Sequence, residues 1–498
     1  MPTMTIQLPE RLAGAVWGHL VGDALGVPYE FHEPEQIHDV VFGARGSHHQ
    51  LPGTWSDDGA LMLALLDSLL RARGQGEARF DPADQARRFL SWADRNAYTP
   101  DGDPPFDIGG ATSAALTRLR LGTPPEEAGG TGERDNGNGS LMRILPLALD
   151  EREVTDAMLV DHARRASAIT HAHPVAQTAC ALYVLVARRL LDGAEPAAAL
   201  SDATLTLRGI HAPGEGSSRW AAALDLIEGW SGRSGSGYVV DAFWSAWDAF
   251  AGASSYRETI ERAVRYGHDT DTTACIAGGL AGIHWGIDGI PAPWLADMRG
   301  RAIVARLVDG LIETDGWQTS SAHPIRVDWI DLSHVPSLAT TAGRLGMTFL
   351  PGKERHGMTG LNWRDLDADL ARLHDQLDAD TLLLLVEDHE LRDARVSDIA
   401  SVCAAHGIDL VRFPIPDLTA PTDREAFGAQ LDECRRRIEE GRTVVVACRA
   451  GMGRTGTAVG CLLRDAGLDA ATAIALTRES RPGTIETPAQ EDFVRAWP

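Results

Sequence analysis

The spacing of apolar residues changes once along this 498-residue chain, and that change governs how the chain can fold. Up to about Thr314 the apolar positions recur at helical intervals. Runs at 12–25, 60–70, 86–96, 110–120, 140–149, 157–169, 175–191, 197–208, 222–230, 257–266 and 292–312 predict helices, with no alternating strand pattern between them. After Trp317 short apolar strands, predicted at 327–332, 345–350, 382–386, 409–413 and 443–447, alternate with helices at 365–377, 396–406, 424–440 and 456–465. A chain of this length exceeds one ordinary core, so a multidomain protein is expected. The reading is an all-α domain over 1–317, a polar linker over 318–325, and an α/β domain with a largely parallel sheet over 326–498.

Charge narrows the partners. With 46 Lys+Arg against 70 Asp+Glu, the formal charge of -24 opposes a nucleic-acid surface and docking on anionic lipid. No apolar run approaches the roughly 20 residues of a membrane span, and the first residues lack the order of a secretory signal. A cytoplasmic protein without nucleic-acid or membrane partners is expected. The six cysteines (Cys180, Cys275, Cys403, Cys434, Cys448 and Cys461) form neither a metal-finger spacing nor a disulfide framework. Five sit in apolar or helical contexts, whereas Cys448 precedes a glycine-rich turn.

In the first domain the polar chemistry gathers at the mouths of helices. Gly267-His268-Asp269-Thr270-Asp271-Thr272-Thr273 runs straight into the small-residue stretch 274–282. Two carboxylates one residue apart repel each other, and burying them is costly unless a cation stands between them. Thr54-Trp55-Ser56-Asp57-Asp58 presents the same ligand types at the head of another apolar helix. Either cluster alone also reads as helix caps and dipole partners. Two in one helical domain point to a hard cation, and oxygen-only ligands favour Mg²⁺ or Mn²⁺ over zinc.

Four further stretches border these clusters. Glycines on one face of the first helix allow close packing, and Pro28 stops it, so Glu30 falls at a loop start facing a cleft. Phe106-Asp107-Ile108-Gly109-Gly110 sets a carboxylate beside two glycines that permit close backbone approach. Asn136-Gly137-Asn138-Gly139-Ser140-Leu141-Met142-Arg143 is a glycine-interleaved turn whose N–H groups suit phosphate. Thr170-His171-Ala172-His173-Pro174 is similar, although such histidines are more often structural or solvated.

Taken in order, Gly22-Asp23-Ala24-Leu25-Gly26, Trp55-Ser56-Asp57-Asp58, Asp107-Ile108-Gly109, Gly137 to Arg143, Thr170-His171 and Gly267 to Thr272 resemble the motif series of the ADP-ribosylglycohydrolase family. The resemblance covers about residues 10–312. It implies an all-α bundle holding two Mg²⁺ or Mn²⁺ ions through Ser56, Asp57, Asp58, Asp269, Asp271 and Thr272, with Ser56 where the family usually has Thr. It implies Glu30 as a gate-like acid and Asp107 as the acid near the water and ribose. Asn138, Gly139, Ser140, Met142 and His171 would line the substrate. His268 occupies a position that is often Gly in the family. Such ions hold a ribose cis-diol, and Asp107 or Glu30 would take the proton of the attacking water as the glycosidic bond breaks.

In the second domain, the strand 443–447 enters Cys448-Arg449-Ala450-Gly451-Met452-Gly453-Arg454-Thr455, and a helix leaves it. Cys, five residues, then Arg at a helix start make a phosphate trap: loop N–H groups converge on one point and Arg454 clamps two oxygens. The same positive field favours a nucleophilic thiolate at Cys448. Gly451, Gly453 and Thr455 are expected to line the bound phosphate.

Residues 326–498 resemble the cysteine-dependent dual-specificity phosphatases, nearest the kinase-associated type. Phe413-Pro414-Ile415-Pro416-Asp417 is similar to the family's general-acid loop, which implies Asp417 as the acid, with Asp423 a second candidate. Arg481-Pro482-Gly483 with Gln490 resembles its closing segment, and Ala447 stands where the family usually has His. No cofactor is implied for this domain. The expectation is a bifunctional hydrolase acting on an ADP-ribosylated protein or small molecule and on a phosphorylated substrate. The alternative is a sensor or adaptor in which a pocket binds ADP-ribose or phosphate without turnover.

Overall fold

The computed structural model describes residues 6–43, 45–74, 80–211, 218–357 and 360–498. The chain forms two compact units, Met1–Leu311 and Ile312–Pro498. The first is helical. Its centre is the pair α1 (Leu8–Gly26) and α12 (Thr270–Trp285), both buried along nearly their whole length, as suits helices apolar on all sides. Glycines make this contact possible. A Cβ on Gly14, Gly18, Gly22 or Gly26 would overlap the backbone of Gly282, Gly278, Ala274 or Asp271 in turn, so the two helices touch main chain to main chain. That approach brings the end of α1 to the start of α12. Thr270 Oγ1 donates to the Gly26 carbonyl at 2.8 Å and ties the two together.

Around this pair lie α2 (Asp57–Gly74), α3 (Pro82–Arg95), α4 (Gly110–Arg120), α5 (Pro146–Asp150), α6 (Asp156–Ala168), α7 (Pro174–Leu191), α8 (Pro196–Ile210), α9 (Ser218–Glu228), α10 (Val239–Ala251), α11 (Tyr256–Val264), α13 (Ala292–Ala296) and α14 (Arg301–Glu313). Three differ from the sequence reading. The helix expected at 140–149 is only α5, because Pro146 has no N–H to give and serves best in the first turn. The helix expected at 292–312 is split into α13 and α14 around Gly300, whose φ of 60° breaks helical geometry. Helix α10 was not expected; its Phe, Trp and Val residues are weak helix formers, and burial of Phe243, Trp247 and Phe250 overrides that preference.

The second unit is an α/β layer. Its main sheet has the order β2 (Asp328–Trp329), β3 (Arg344–Phe349), β8 (Thr443–Cys448), β6 (Thr381–Leu384), β7 (Asp409–Arg412), with β2 antiparallel at one edge and the rest parallel. Every residue of the central strand β8 is buried, as a parallel strand covered on both faces requires. A smaller sheet runs β1 (Gln318–Thr319), β5 (Gly360–Trp363), β4 (Glu354–Gly357). The stretch expected as a linker thus supplies a strand, pairing Gln318 with Asn362 and Thr319 with Trp363. Helices α15 (Leu366–Asp375), α16 (Asp388–Asp393), α17 (Ile399–Ala405), α18 (Arg424–Glu439), α19 (Gly453–Asp465), α20 (Ala470–Ser480) and α21 (Pro488–Arg495) complete the unit. Phe349 pairs with Cys448, so β3 and β8 end side by side at the carboxyl edge, where parallel sheets place ligands. Among the described residues no helix is long and apolar enough to cross a membrane.

Candidate active sites

In the first unit the heads of α2 and α12 meet. Thr272 Oγ1 donates to Asp58 Oδ1 at 3.3 Å, joining the two acidic clusters. Ser56 and Asp57 lie beside Asp58, and all three are buried. Asp269 stands at the N-cap of α12 but makes no capping bond there; its Oδ2 accepts from Asn138 Nδ2 at 2.8 Å. Asp271 Oδ1 accepts the Thr272 N–H at 2.9 Å, and its Oδ2 is buried without a hydrogen-bond partner among the described residues. These acids are therefore not explained as helix caps. Carboxylate oxygens of Glu30, Asp269 and Asp271 lie within 4.8 Å of one another. Glu30, His48 and Asp107 form a second such group, in which Glu30 contacts His48 directly.

Burial, followed by repulsion among the acids, pushes Asp57, Asp58 and Asp271 well above the ordinary carboxylate range and raises Glu30 to about 9. The same burial raises Asp269. Packed, mutually repelling carboxyls with one unpaired oxygen and two hydroxyls fit a hard divalent cation. A cavity of about 550 Å³ opens onto this cluster, lined by Glu30, Phe31, Ser234, Ser236, Gly237, His268 and Asp269. His268 has φ 57°, a conformation glycine adopts more readily, and its backbone is bonded both ways to the 31–32 segment.

The remaining expected residues divide. Asn138 holds Asp269, and Gly139 packs so tightly on the His171 ring that a Cβ there would stand 2.9 Å from Cε1. His171 is buried, and desolvation together with Arg143 lowers it to about 3, so the ring is neutral. Ser140 is turned into the core, accepting from Ser167 Oγ at 2.9 Å, and Met142 is buried beside it. Three residues escaped the sequence reading. Asp23 accepts the N–H groups of Ser56 at 2.9 Å and Gly59 at 2.8 Å and so positions the head of α2; burial raises it to about 7. An acid inside an Ala/Gly/Leu helix was the available signal. Cys275 donates to Asp58 Oδ2 at 3.2 Å, and His48 meets Glu30, contacts that only the tertiary fold creates.

In the second unit Cys448 ends β8, the loop 449–452 follows, and α19 begins at Gly453. Gly451 has φ 71°, and a Cβ there would overlap the Thr348 carbonyl. Arg454 is buried and forms a fork with Glu390, Nη1 to Oε2 at 2.6 Å and Nη2 to Oε1 at 2.8 Å. It also donates to the Ile415 carbonyl at 2.9 Å and meets Asp417 Oδ1 at 3.0 Å. Burial works against the charge of Arg454, but Glu390 and then Cys448 hold its pKa above the ordinary value. Thr455 Oγ1 is buried without a hydrogen-bond partner among the described residues.

Asp417 is mostly exposed on its loop, whereas Asp423 is the N-cap of α18, accepting the Ala426 N–H at 2.9 Å. The acid loop is braced by Gln490, whose Nε2 donates to the Thr419 carbonyl at 3.1 Å. Arg481 braces the phosphate loop through the Ala450 carbonyl at 3.0 Å while paired with Asp328. Glu390 was not foreseen: it lies 64 positions from Arg454 in a polar run with no distinguishing pattern. Glu390→Gln removes one charge-assisted bond worth about 1.5–3 kcal/mol, so aryl-phosphate turnover should fall roughly ten- to a hundredfold. Glycohydrolase turnover measured on the same preparation should not change.

The folds and sites define hydrolase domains of two kinds, and comparison with known proteins agrees. The family model for ADP-ribosylglycohydrolase matches residues 4–320, and the model described as Swiss Army Knife protein, DSP-PTPase phosphatase domain matches residues 358–494. The chain belongs to the ADP-ribosylglycohydrolase family and carries a dual-specificity-type phosphatase domain after it. The ADP-ribosylarginine hydrolase Tri1 of Pseudomonas putida (strain GB-1) is 30% identical over 319 residues, covering 62% of this chain and 79% of that protein. The ADP-ribosyl-[dinitrogen reductase] glycohydrolase of Rhodospirillum rubrum is 30% identical over 321 residues, covering 62% of this chain and 97% of that protein. A solved structure described as an ADP-ribosylglycohydrolase-related protein complex has 32% identity and a TM-score of 0.51, covering 61% of this chain and 98% of its own.

Proposed function

We propose that the first unit hydrolyses the N- or O-glycosidic bond of an ADP-ribosylated protein or small molecule with divalent-cation help. The second unit hydrolyses a phosphate monoester through a phosphocysteine at Cys448. The corresponding domains are 1–317 and the stretch that follows to 498, with the strand Gln318–Thr319 belonging to the second, and a cytoplasmic location suits both. The observation that carries the glycohydrolase reading is the meeting of Asp58 and Thr272 at 3.3 Å beside the unpaired Asp271 Oδ2. Ser56, Asp57, Asp58, Asp269, Asp271 and Thr272 would hold two Mg²⁺ or Mn²⁺ ions, which supply Lewis-acid polarisation and orientation of ribose oxygens. Glu30 and Asp107 face the same cluster. One of them accepts the proton of the attacking water as the glycosidic bond breaks through an oxocarbenium-like state. Asn138 fixes Asp269, and neutral His171 supports the Gly139 turn that borders the substrate.

At the second site the Cys448 thiolate forms an S–P bond while the P–O bond to the leaving group breaks, and Asp417 gives that oxygen its proton. Arg454, oriented by Glu390, holds two phosphate oxygens, and the N–H groups of the 449–455 loop hold the rest. Asp417 then takes a proton from water, which attacks phosphorus and releases phosphate and the thiolate.

The test is turnover by the purified chain on arginine- and serine-linked ADP-ribosyl peptides with Mg²⁺ or Mn²⁺. ADP-ribose release from at least one, lost with a chelator and restored by the ion, is expected. No release from either peptide with either ion would sink the glycohydrolase reading.

A further inference from the structure

At the first site a histidine meets one of the two candidate bases, and the reaction just described gives it no part. His48 Nε2 contacts Glu30 Oε2. One ring nitrogen of His48 and one carboxyl oxygen each of Glu30 and Asp107 lie within 4.8 Å of one another. Two aromatic rings pack against the imidazole: the centroid of Phe31, the residue after Glu30, stands 5.7 Å away, and that of Phe106, the residue before Asp107, 5.2 Å away.

The backbone that carries His48 is seated on the turn that carries Glu30. Ser47 Oγ donates to the Glu30 carbonyl at 2.6 Å, and the Ser47 N–H donates to the Pro28 carbonyl at 3.3 Å. Gly46 has φ 49°, and a Cβ there would overlap the Pro28 carbonyl, so the two segments touch main chain to main chain. From the other direction the Phe31 N–H donates to the His268 carbonyl at 2.6 Å. The Glu30 backbone is thus held by two loops, and what is left to fix is its side chain.

Around that side chain the charge is of its own sign, from Asp107, Asp269, Asp23 and Asp271. Of the described groups that hydrogen-bond its carboxyl, Asp107 is another acid and His48 is the one that can donate when both acids are ionised. A glutamate that is to take a proton works as the carboxylate. In that form a neighbouring acid repels it, whereas an imidazole N–H holds it.

We infer that His48 is a positioning residue of the glycohydrolase, its Nε2–H holding the Glu30 carboxylate so that Glu30, rather than Asp107, takes the proton of the attacking water. This rests on the glycohydrolase reading of the first unit. With Oε2 held by His48, Oε1 is left to receive the proton. The water's O–H bond breaks and its oxygen bonds the anomeric carbon, while the electron pair of the glycosidic bond leaves with the acceptor, which is protonated as it departs.

The experiment measures kcat and KM of the full chain with Mn²⁺ on whichever of the arginine- and serine-linked ADP-ribosyl peptides the parent cleaves. His48→Leu should lower kcat about ten- to a hundredfold, as expected for loss of a charge-assisted hydrogen bond on a group that must be aligned, with KM within about twofold of the parent. His48→Gln, whose Nε2–H can stand where the ring Nε2–H stands, should recover most of kcat. A double-mutant cycle shows through which acid His48 acts. Added to Glu30→Gln, His48→Leu should change the residual turnover less than about twofold, whereas added to Asp107→Asn it should cost about as much as in the parent. The inference is overturned if His48→Leu leaves kcat unchanged, if the loss falls on KM alone, if His48→Gln is as slow as His48→Leu, or if His48→Leu costs as much beside Glu30→Gln as in the parent. The glycohydrolase reading fails separately, if the parent chain releases ADP-ribose from neither peptide.

Discussion

Asp271→Ala should cut glycohydrolase turnover by roughly three orders of magnitude, the several kcal/mol that a cation contributes at such a centre, and abolish the rise in melting temperature on adding Mn²⁺. The cause is the buried, unpaired Oδ2 of Asp271 beside Glu30, Asp58 and Asp269. In the chelated protein the same substitution removes a repelling acid, so the variant should melt no lower than the parent. Raised carboxyl pKa values fix the pH dependence. A group whose folded pKa is raised contributes its stability fully below the unfolded value, about 4 for a carboxyl, and loses it as pH rises through the folded value. For Glu30 that loss runs on to about 9. A divalent cation displaces those protons, so the stabilisation it confers should grow between roughly pH 5 and 8. Scanning calorimetry with and without Mn²⁺ at both limits reads this directly. Unchanged cation stoichiometry and affinity in Asp271→Ala would remove the metal proposal.

Cys448→Ser should lower aryl-phosphate hydrolysis by roughly a thousandfold or more, because the hydroxyl cannot replace the thiolate as nucleophile and leaving group. Chelation should leave this activity untouched, which separates it from the first unit in the same tube. Asp417→Ala is the companion. It should slow alkyl phosphates by about 10²–10⁴ and nitrophenyl phosphate little, since a good leaving group needs no proton. Asp417 sits on Arg454 at 3.0 Å, so phosphate must displace or share that contact. Turnover that survives Cys448→Ser, or that disappears with chelator, would assign the chemistry to another site.

What was legible in the sequence is what is local in it. Ser56-Asp57-Asp58 and Asp269 to Thr272 each lie within one turn of helix, and the loop from Cys448 to Arg454 is continuous, so residue type and spacing announced them. The groups that position them were hidden because they arrive through the fold. Asp23 reaches Ser56 from another helix, Glu390 on α16 reaches Arg454 on α19, and Cys275 turns onto Asp58 only once α12 lies beside α2. Among secondary elements the buried run of β8 read plainly. The edge strand β2 shrank to two residues, and the β4–β5 hairpin passed unnoticed because its polar residues show no apolar alternation. Ser140 and Met142 illustrate the opposite case, a glycine-rich turn in which these side chains are buried while Asn138 reaches Asp269.

The strand formed by Gln318 and Thr319 decides where a working phosphatase fragment can begin. A chain started at 326, after the polar stretch, would leave β5 without its parallel neighbour and take the Ser320 hydroxyl away from Asp369 and from the Asp365 N–H, which it accepts at 2.9 Å. The His323 carbonyl, which accepts from Arg364 at 2.8 Å, would go too. Each loss falls on the Asp369–Arg364 pair that steadies the 351–353 turn, so such a fragment would fold around its main sheet yet hold that turn loosely. Starting at Ile312 retains all of these, together with the Glu313 carboxylate that accepts from Thr319. The polar stretch is therefore a poor place to cut or to insert a tag, and the choice of first residue would itself alter how firmly the excised domain holds its smaller sheet.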